Sequence, residues 1–372
     1  KQAATRLRQH KRWYIIGGIL GGILLLGGSA SLYTLKKDSA DGRFLMWKIT
    51  TKAIQKQPIT GTSLGGFPAA YAETQAEYMA SGKATEQEKL VAGCPEYAFN
   101  EYLQIGLEQG LVGLALFIGW LGLLFYKGIK NKRYACCGGL MSLAIFAFSS
   151  YPLQLPEFWV VLIFLGVMSV TPDKDEIREN QAESNGHRWG KQIFFMGIAI
   201  LGIGLFWMQK DHYKAYQQWN KAQMFYNNKA YEAALEVYEP LYPLLKHKPE
   251  FLFEAAQSLS KTGQYEKANE YLERAVLLSS DPMLYYVMAK NEQCLGEYRQ
   301  AEKHLLHAID ILPERIYPYY LLMNLYTEPS YFQPAKLKMA IDSVLTKKPK
   351  VESSAIKEMK EKARSMLNNT SI

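Results

Sequence analysis

Residues 98–119 read AFNEYLQIGLEQGLVGLALFIG. The stretch begins polar and aromatic and ends as hydrocarbon, which predicts a helix entering a membrane from water. Asn100 suits its N-cap, because the side-chain oxygen can accept one of the orphan N–H groups of the first turn. Glu101 follows in that turn, where the helix dipole favours negative charge. On a helical wheel Glu101, Gln104 and Glu108 share one face. Gly106, Gly110 and Gly113 lie opposite, a small-residue surface that lets another helix approach closely. Glu108 sits just inside the apolar run. There it fits either a water-filled site with a polar partner or a carboxylate snorkelling to the interface.

Working outward, residues 1–12 carry five Lys/Arg, and Trp13–Tyr33 follows as an apolar run long enough to span a bilayer. Residues 34–99 are polar. Ile105–Tyr126 reads as a second span, followed by the basic loop KGIKNKR at 127–133. Ala135–Tyr151 and Phe158–Thr171 are further apolar runs joined by PLQLPE, and Gln192–Met208 is a fifth. Residues 1–12 and 127–133 are the basic short segments, so the positive-inside rule puts both in the cytoplasm. Residues 34–99, the start of the Asn100 helix, PLQLPE and everything beyond about Asp211 then lie outside, in the periplasm of a two-membrane bacterium.

Past residue 210 the chain changes character and repeats itself. NNKAYEAALEVYEPL (227–241), KTGQYEKANEYLERA (261–275) and CLGEYRQAEKHLLHA (294–308) align, with Tyr231, Tyr265 and Tyr298 separated by 34 and 33 residues. Ala234, Ala268 and Ala301 keep the same register, Gly263 and Gly296 mark turns within units, and Pro249, Pro282 and Pro313 fall between units. This pattern resembles tetratricopeptide repeats, in which antiparallel helix pairs stack into a solenoid. Tyr317–Leu325 with Ala335–Leu345 reads as a divergent further pair. The expected fold class is therefore all-α. It comprises polytopic membrane helices at 1–171 with an outer loop at 34–99, a cytoplasmic linker and extra span at 172–210, and a periplasmic solenoid at 211–372. Such repeats imply periplasmic protein partners.

Composition narrows the function. The chain has 372 residues, a formal net charge of +8 and a mean hydropathy of −0.16. No zinc spacing or nucleic-acid recognition signature accompanies the basic balance, so no nucleic-acid partner is expected. Cys94, the adjacent pair Cys136–Cys137, and Cys294 have neither metal nor disulfide spacing.

The outer segment holds the chemistry. Ser39 or Asp41 can cap a helix that Pro58 ends. Lys48, Lys52 and Lys56 form a basic stripe on it, while Leu45, Ile49 and Ala53 form an apolar one. Arg43 precedes Trp47 by four residues, and GTSLGGF at 61–67 precedes Tyr71. Read together, Arg43 and Trp47, the GxxxGGF stretch and NEYLQ–x3–E–x–GLVGL resemble the O-antigen ligase and polymerase superfamily, which includes bacterial protein O-oligosaccharyltransferases. The resemblance covers roughly residues 13–171 and implies that several further membrane helices precede this sequence.

That family moves a glycan from an undecaprenyl-diphosphate carrier to an acceptor hydroxyl, and no cofactor or metal is implied. The resemblance implies a bacterial inner (cytoplasmic) membrane location among membrane lipids, with an acceptor on lipid A-core, a growing glycan or a protein. It assigns catalysis to Arg43, which can hold a diphosphate leaving group, and to Glu101, the better-placed carboxylate for a base. Lys48, Lys52, Gly65, Gly66, Tyr71, Asn100, Gln104 and Glu108 are the expected substrate-binding residues. Many members carry His directly before the NEYLQ-type Asn; here that position is Phe99. The alternative is a membrane-anchored, non-catalytic scaffold whose repeats recruit periplasmic partners.

Thiol labelling checks the topology. A cysteine placed at position 130 should be reached only from the cytoplasmic side, and cysteines in 34–99 and 211–372 only from the outer side. Labelling of position 130 from outside would reverse the arrangement.

Overall fold

The expected single helix at 98–119 is two helices. Glu101–Glu108 ends at Gln109, and a new helix runs from Gly110 to Lys130. The computed structural model describes residues 36–171, 188–349 and 351–369. Residues 1–12, the run Trp13–Tyr33 and residues 172–187 therefore lie outside the described part. Within it every regular element is helical.

The break between the two helices has a backbone cause. Gly110 adopts φ +69°, open to glycine at little cost, and a Cβ there would lie 2.0 Å from the Ile59 carbonyl oxygen. The stretch 58–63 crosses the break at backbone distance. The Thr62 N–H donates to Leu107 O (2.9 Å), Ser63 N–H to Glu108 O (3.0 Å) and Leu111 N–H to Pro58 O (2.8 Å). Groups that an uninterrupted helix would have paired internally find partners in this crossing. The three glycines thus have separate uses. Gly106 admits the Ile54 side chain, Gly110 makes the break, and Gly113 faces Gln109 of its own chain.

In chain order, α1 is Lys37–Lys56, α2 Phe67–Ala80, α3 Glu86–Val91, α4 Glu101–Glu108 and α5 Gly110–Lys130. α6 (Tyr134–Ser149) and α7 (Pro156–Val170) follow, joined by a 3-10 turn at Pro152–Gln154. Leu45, Ile49 and Ala53 are buried on α1 as the periodicity requires, together with Phe67, Tyr71 and Ala76 of α2. α5, α6 and α7 pack on one another around Leu124, Leu140 and Leu162. Their outward faces expose Leu116, Leu123, Ile145, Val160, Ile163 and Phe164. Among the described residues α5 is the helix long and apolar enough to cross a membrane, and α6 and α7 are shorter apolar helices.

α8 (Arg188–Met208) runs into α9 (Lys210–Asn227) through Gln209, which keeps helical dihedrals and accepts the Tyr213 N–H. The repeats then alternate as expected. α9 pairs with α10 (Tyr231–Leu245), α11 (Pro249–Lys261) with α12 (Tyr265–Val276), α13 (Met283–Leu295) with α14 (Tyr298–Ile311), and α15 (Ile316–Leu325) with α16 (Pro334–Thr346). α17 (Ser354–Asn369) covers the last pair and was not legible as a repeat element. Ala222, Ala234, Ala255, Ala268 and Ala301 are fully buried where helices meet, because only a small side chain lets two helix backbones come that close.

The turn inside each of the first three pairs carries a left-handed residue. Gly263 and Gly296 supply it at φ +83° and +79°, and the equivalent residue in the first unit is Lys229 at φ +61°. A side chain there costs roughly 1–2 kcal/mol, part of which glycine returns through a freer unfolded chain. Lys229→Gly should therefore stabilise the repeats by about 0.5–1 kcal/mol. Thermal unfolding of the full chain in detergent would show it, and a melting temperature at or below wild type would contradict it.

Candidate functional site

Arg43 and Phe99, 56 residues apart in sequence, meet at the end of the apolar helices where α6 finishes. The Arg43 guanidinium carbon lies 5.3 Å from the centre of the Phe99 ring. Its Nη1 donates to the Ser149 carbonyl at 2.9 Å, where α6 ends. One turn on, Trp47 Nε1 donates to Ala98 O at 3.1 Å and its ring packs edge-on against Phe148. α1 is thus fixed against both the 97–100 turn and the end of α6 by the face opposite its buried stripe. Phe99 has φ +50°, a strained conformation for an aromatic residue, and its ring meets Tyr151 edge-to-face at 4.9 Å. Tyr151 stacks in turn on Tyr97 at 5.2 Å. The result is a cation set above an aromatic wall, with one of the five guanidinium N–H groups engaged in the hydrogen bonds described.

The polar face of α4 lies directly behind this wall. Asn100 caps α4 as expected, its Oδ1 accepting the Leu103 N–H at 3.1 Å. Glu101 is buried. Its carboxylate accepts the Leu153 N–H at 2.6 Å and the Gln154 side-chain amide at 3.3 Å, so it holds the 3-10 turn between α6 and α7. Burial raises its pKa above the ordinary carboxylate value; those hydrogen bonds oppose the rise and the Glu108 charge adds to it. Gln104 bridges the network, accepting the Ala98 N–H at 2.8 Å and donating to Glu108 Oε1 at 2.9 Å.

The Glu108 carboxylate also faces the backbone N–H groups of Gly65 and Phe67, at the start of α2. The N-terminus of α2 therefore holds a carboxylate of its own chain, which satisfies both the orphan N–H groups and the buried charge. Gly65 and Gly66 serve this junction. Gly65 has φ +74°, and a Cβ on Gly66 would lie 2.8 Å from the Thr62 carbonyl oxygen.

The basic stripe faces elsewhere. Lys48 Nζ lies 2.6 Å from both Glu88 and the Tyr78 hydroxyl, Lys52 lies over the Tyr78 ring, and Lys56 pairs with Glu77 at 2.6 Å. Burial disfavours the charge on Glu88. Hydrogen bonds from Lys48, the Thr85 backbone and Tyr78 outweigh it and hold the carboxyl down at about 2. Lys48 and Lys52 thus clamp α2 and α3 to α1 and stand on a different flank from Arg43. Tyr71 is buried against Phe67, and its hydroxyl donates to Gln75 at 2.7 Å. Of the ten expected site residues, Arg43 lines the wall and Asn100, Glu101, Gln104 and Glu108 brace it from behind. Gly65 and Gly66 shape the α2 junction. Tyr97, Phe148, Ser149 and Tyr151 complete the wall and had no spacing in the sequence to single them out.

Comparison with known proteins divides the chain the same way. Residues 3–118 match the family model described as O-Antigen ligase, a shorter reach than 13–171. Residues 227–308 match the model described as Anaphase-promoting complex, cyclosome, subunit 3. No curated protein sequence matches. Among solved structures, MamA 41-end from Desulfovibrio magneticus RS-1 is 16% identical, with 42% of this chain and 78% of that one covered at a TM-score of 0.31. The Yersinia enterocolitica type III secretion chaperone SycD, in complex with a peptide of the translocator YopD, is 17% identical over 41% and 93% at 0.25. A Podosopora anserina putative kinesin light chain with nearly identical TPR-like repeats is 17% identical over 42% and 88% at 0.34.

The Glu101 hydrogen bonds give a stability test. Glu101→Ala leaves the Leu153 N–H without its acceptor and should cost about 1–3 kcal/mol, whereas Glu101→Gln keeps one acceptor oxygen and should recover most of that. Thermal unfolding of the full chain checks both, and equal melting of the Ala variant and wild type would dismiss the brace.

Proposed function

We propose that this chain is the C-terminal part of an O-antigen ligase-type membrane glycosyltransferase that carries its own repeat domain. The observation that carries the reading is the placement of Arg43 over Phe99, beside the capped start of α4. The family match over residues 3–118 supports the reaction class. The Arg43 wall and the Pro152–Gln154 turn sit at one end of the apolar helices, while Lys127, Lys130 and Lys132 cluster at the other, near the α5–α6 connection. That polarity supports a multi-pass inner-membrane protein with residues 34–99 and the repeats in the periplasm and with exposed apolar faces against lipid.

In this reading the donor is a glycan on undecaprenyl diphosphate. The acceptor hydroxyl oxygen attacks the anomeric carbon, the bond from that carbon to the phosphate oxygen breaks, and the hydroxyl proton leaves to solvent or to the departing diphosphate. Arg43 offers two parallel N–H groups to that diphosphate at the membrane surface, where charge develops. Lys48 and Lys52, engaged by Glu88 and Tyr78 on another flank, hold α2 and α3 against α1. Phe99 stands where many relatives carry His, and both Glu101 oxygens hold the turn at 152–154. These two facts favour leaving-group stabilisation and positioning over a side-chain base. Asn100, Gln104 and Glu108 position, and lipid A-core, a growing glycan or a protein supplies the acceptor. The scaffold reading, favoured by Phe99 alone, is the other outcome of the same experiment.

That experiment is glycan transfer by the full-length protein in a deletion strain. Arg43→Ala should lower transfer by on the order of a hundredfold or more with membrane insertion intact. Arg43→Lys should fall in between, since an ammonium offers one point charge where the guanidinium offers a fork. Wild-type transfer by Arg43→Ala would remove the proposal and leave the scaffold.

A further inference from the structure

The repeat domain and the outer segment are packed together. α2 lies along α14, and Ile311 and Leu312 at the end of α14 belong to the same buried core as Phe67, Tyr71 and Ala98. Glu73 of α2 faces His307 of α14 at 3.4 Å. At the centre of the contact is Gln75, whose side chain is completely buried. Its amide nitrogen donates to the Ile311 carbonyl at 2.8 Å and to the Gly93 carbonyl at 3.0 Å, and its oxygen accepts the Tyr71 hydroxyl. Two residues beyond Gly93, the Pro95 carbonyl accepts the Ser280 hydroxyl at 3.1 Å, from the connection between α12 and α13. The chain then passes directly into Tyr97, Ala98 and Phe99, the residues that carry the aromatic wall beside Arg43.

We infer that the third repeat, through Gln75 and Ser280, sets the position of the Tyr97–Asn100 turn, so that the repeat domain is a working part of the transfer site. Gln75 is then a positioning residue. It touches no reacting atom, but it fixes the segment from which Phe99 and the Asn100 cap are presented. A buried amide that satisfies two carbonyls on separate elements holds both, because releasing either strands a polar group away from water. Phe99 makes such support necessary: a strained left-handed aromatic residue persists only where its surroundings over-determine it. The connection to the repeats uses the Ser280 loop, the Leu312 end of α14 and the side of α14 that carries His307.

The inference rests on the transferase reading for its effect on turnover and on the contacts alone for its effect on the turn. The test therefore uses two measurements on the full-length protein in membranes. The variants are Gln75→Met, which keeps the shape and removes the hydrogen bonds, and Ser280→Ala. Hydrogen–deuterium exchange at residues 93–100 should quicken about tenfold or more in Gln75→Met and less in Ser280→Ala. Exchange within α12–α14 should stay at the wild-type rate, which shows the repeats still folded. Glycan transfer from the lipid-linked donor should show kcat lowered several-fold in Gln75→Met with donor KM within twofold of wild type. Unchanged exchange at 93–100 in both variants would overturn the inference. So would quickened exchange with unchanged kcat. Absence of transfer in the wild type, with exchange behaving as expected, would remove the transferase reading and keep the repeat-held turn.

Discussion

Everything around Arg43 and Phe99 depends on one backbone-to-backbone crossing. The stretch Pro58–Ser63 lies across the Leu107–Leu111 break so closely that Gly61 and Gly110 leave no room for a Cβ on either side. The crossing terminates α4, starts α5 and pins the end of α1, with three backbone hydrogen bonds for the groups the break exposes. Without it a continuous helix would carry Asn100 and Glu101 in a different direction from the apolar helices. The crossing also brings Glu108 to the start of α2, where its charge and the unpaired N–H groups of that helix satisfy one another.

Polar residues on α4 show how a patterned face acquires meaning only from its surroundings. Glu101, Gln104 and Glu108 do share a side, and they turn inward to three separate backbone elements. Each is buried and each is hydrogen-bonded, which is the condition for keeping such groups away from water. They are therefore a frame, and the exposed chemistry falls to Arg43 and the rings around it. The lysine stripe on α1 divides the same way, its charges matched by Glu88 and Glu77.

Much of this was legible beforehand because its signals are local. Helical periodicity placed Leu45, Ile49 and Ala53; the 34- and 33-residue spacing placed the repeats; and Asn100 read as a cap from its side chain alone. The break at Gly110 was hidden because a glycine within an apolar run also suits helix packing, and only the partner at Ile59 decides between the two. The aromatic wall was hidden for another reason. Tyr97 and Phe99 come from one loop, Phe148 and Tyr151 from the end of α6 and the turn after it about fifty residues on, and no period links them. Gln75, in the middle of a helix buried on most sides, gave no sign that its amide would reach Ile311, 236 residues on.

The helical continuity of α8 and α9 through Gln209 has a mechanical consequence. α9 is an 18-residue shaft, about 27 Å long at 1.5 Å per residue, rising without a flexible joint from an apolar helix into the first repeat. The same solenoid is tied back midway along its length, at Gln75 and Pro95. The repeats thus close a linkage whose two anchor points are α8 and the Tyr97–Asn100 turn. In such a loop any tilt of α8 has to be absorbed by bending the solenoid or by loading the turn. The orientation of α8 becomes a force on Phe99.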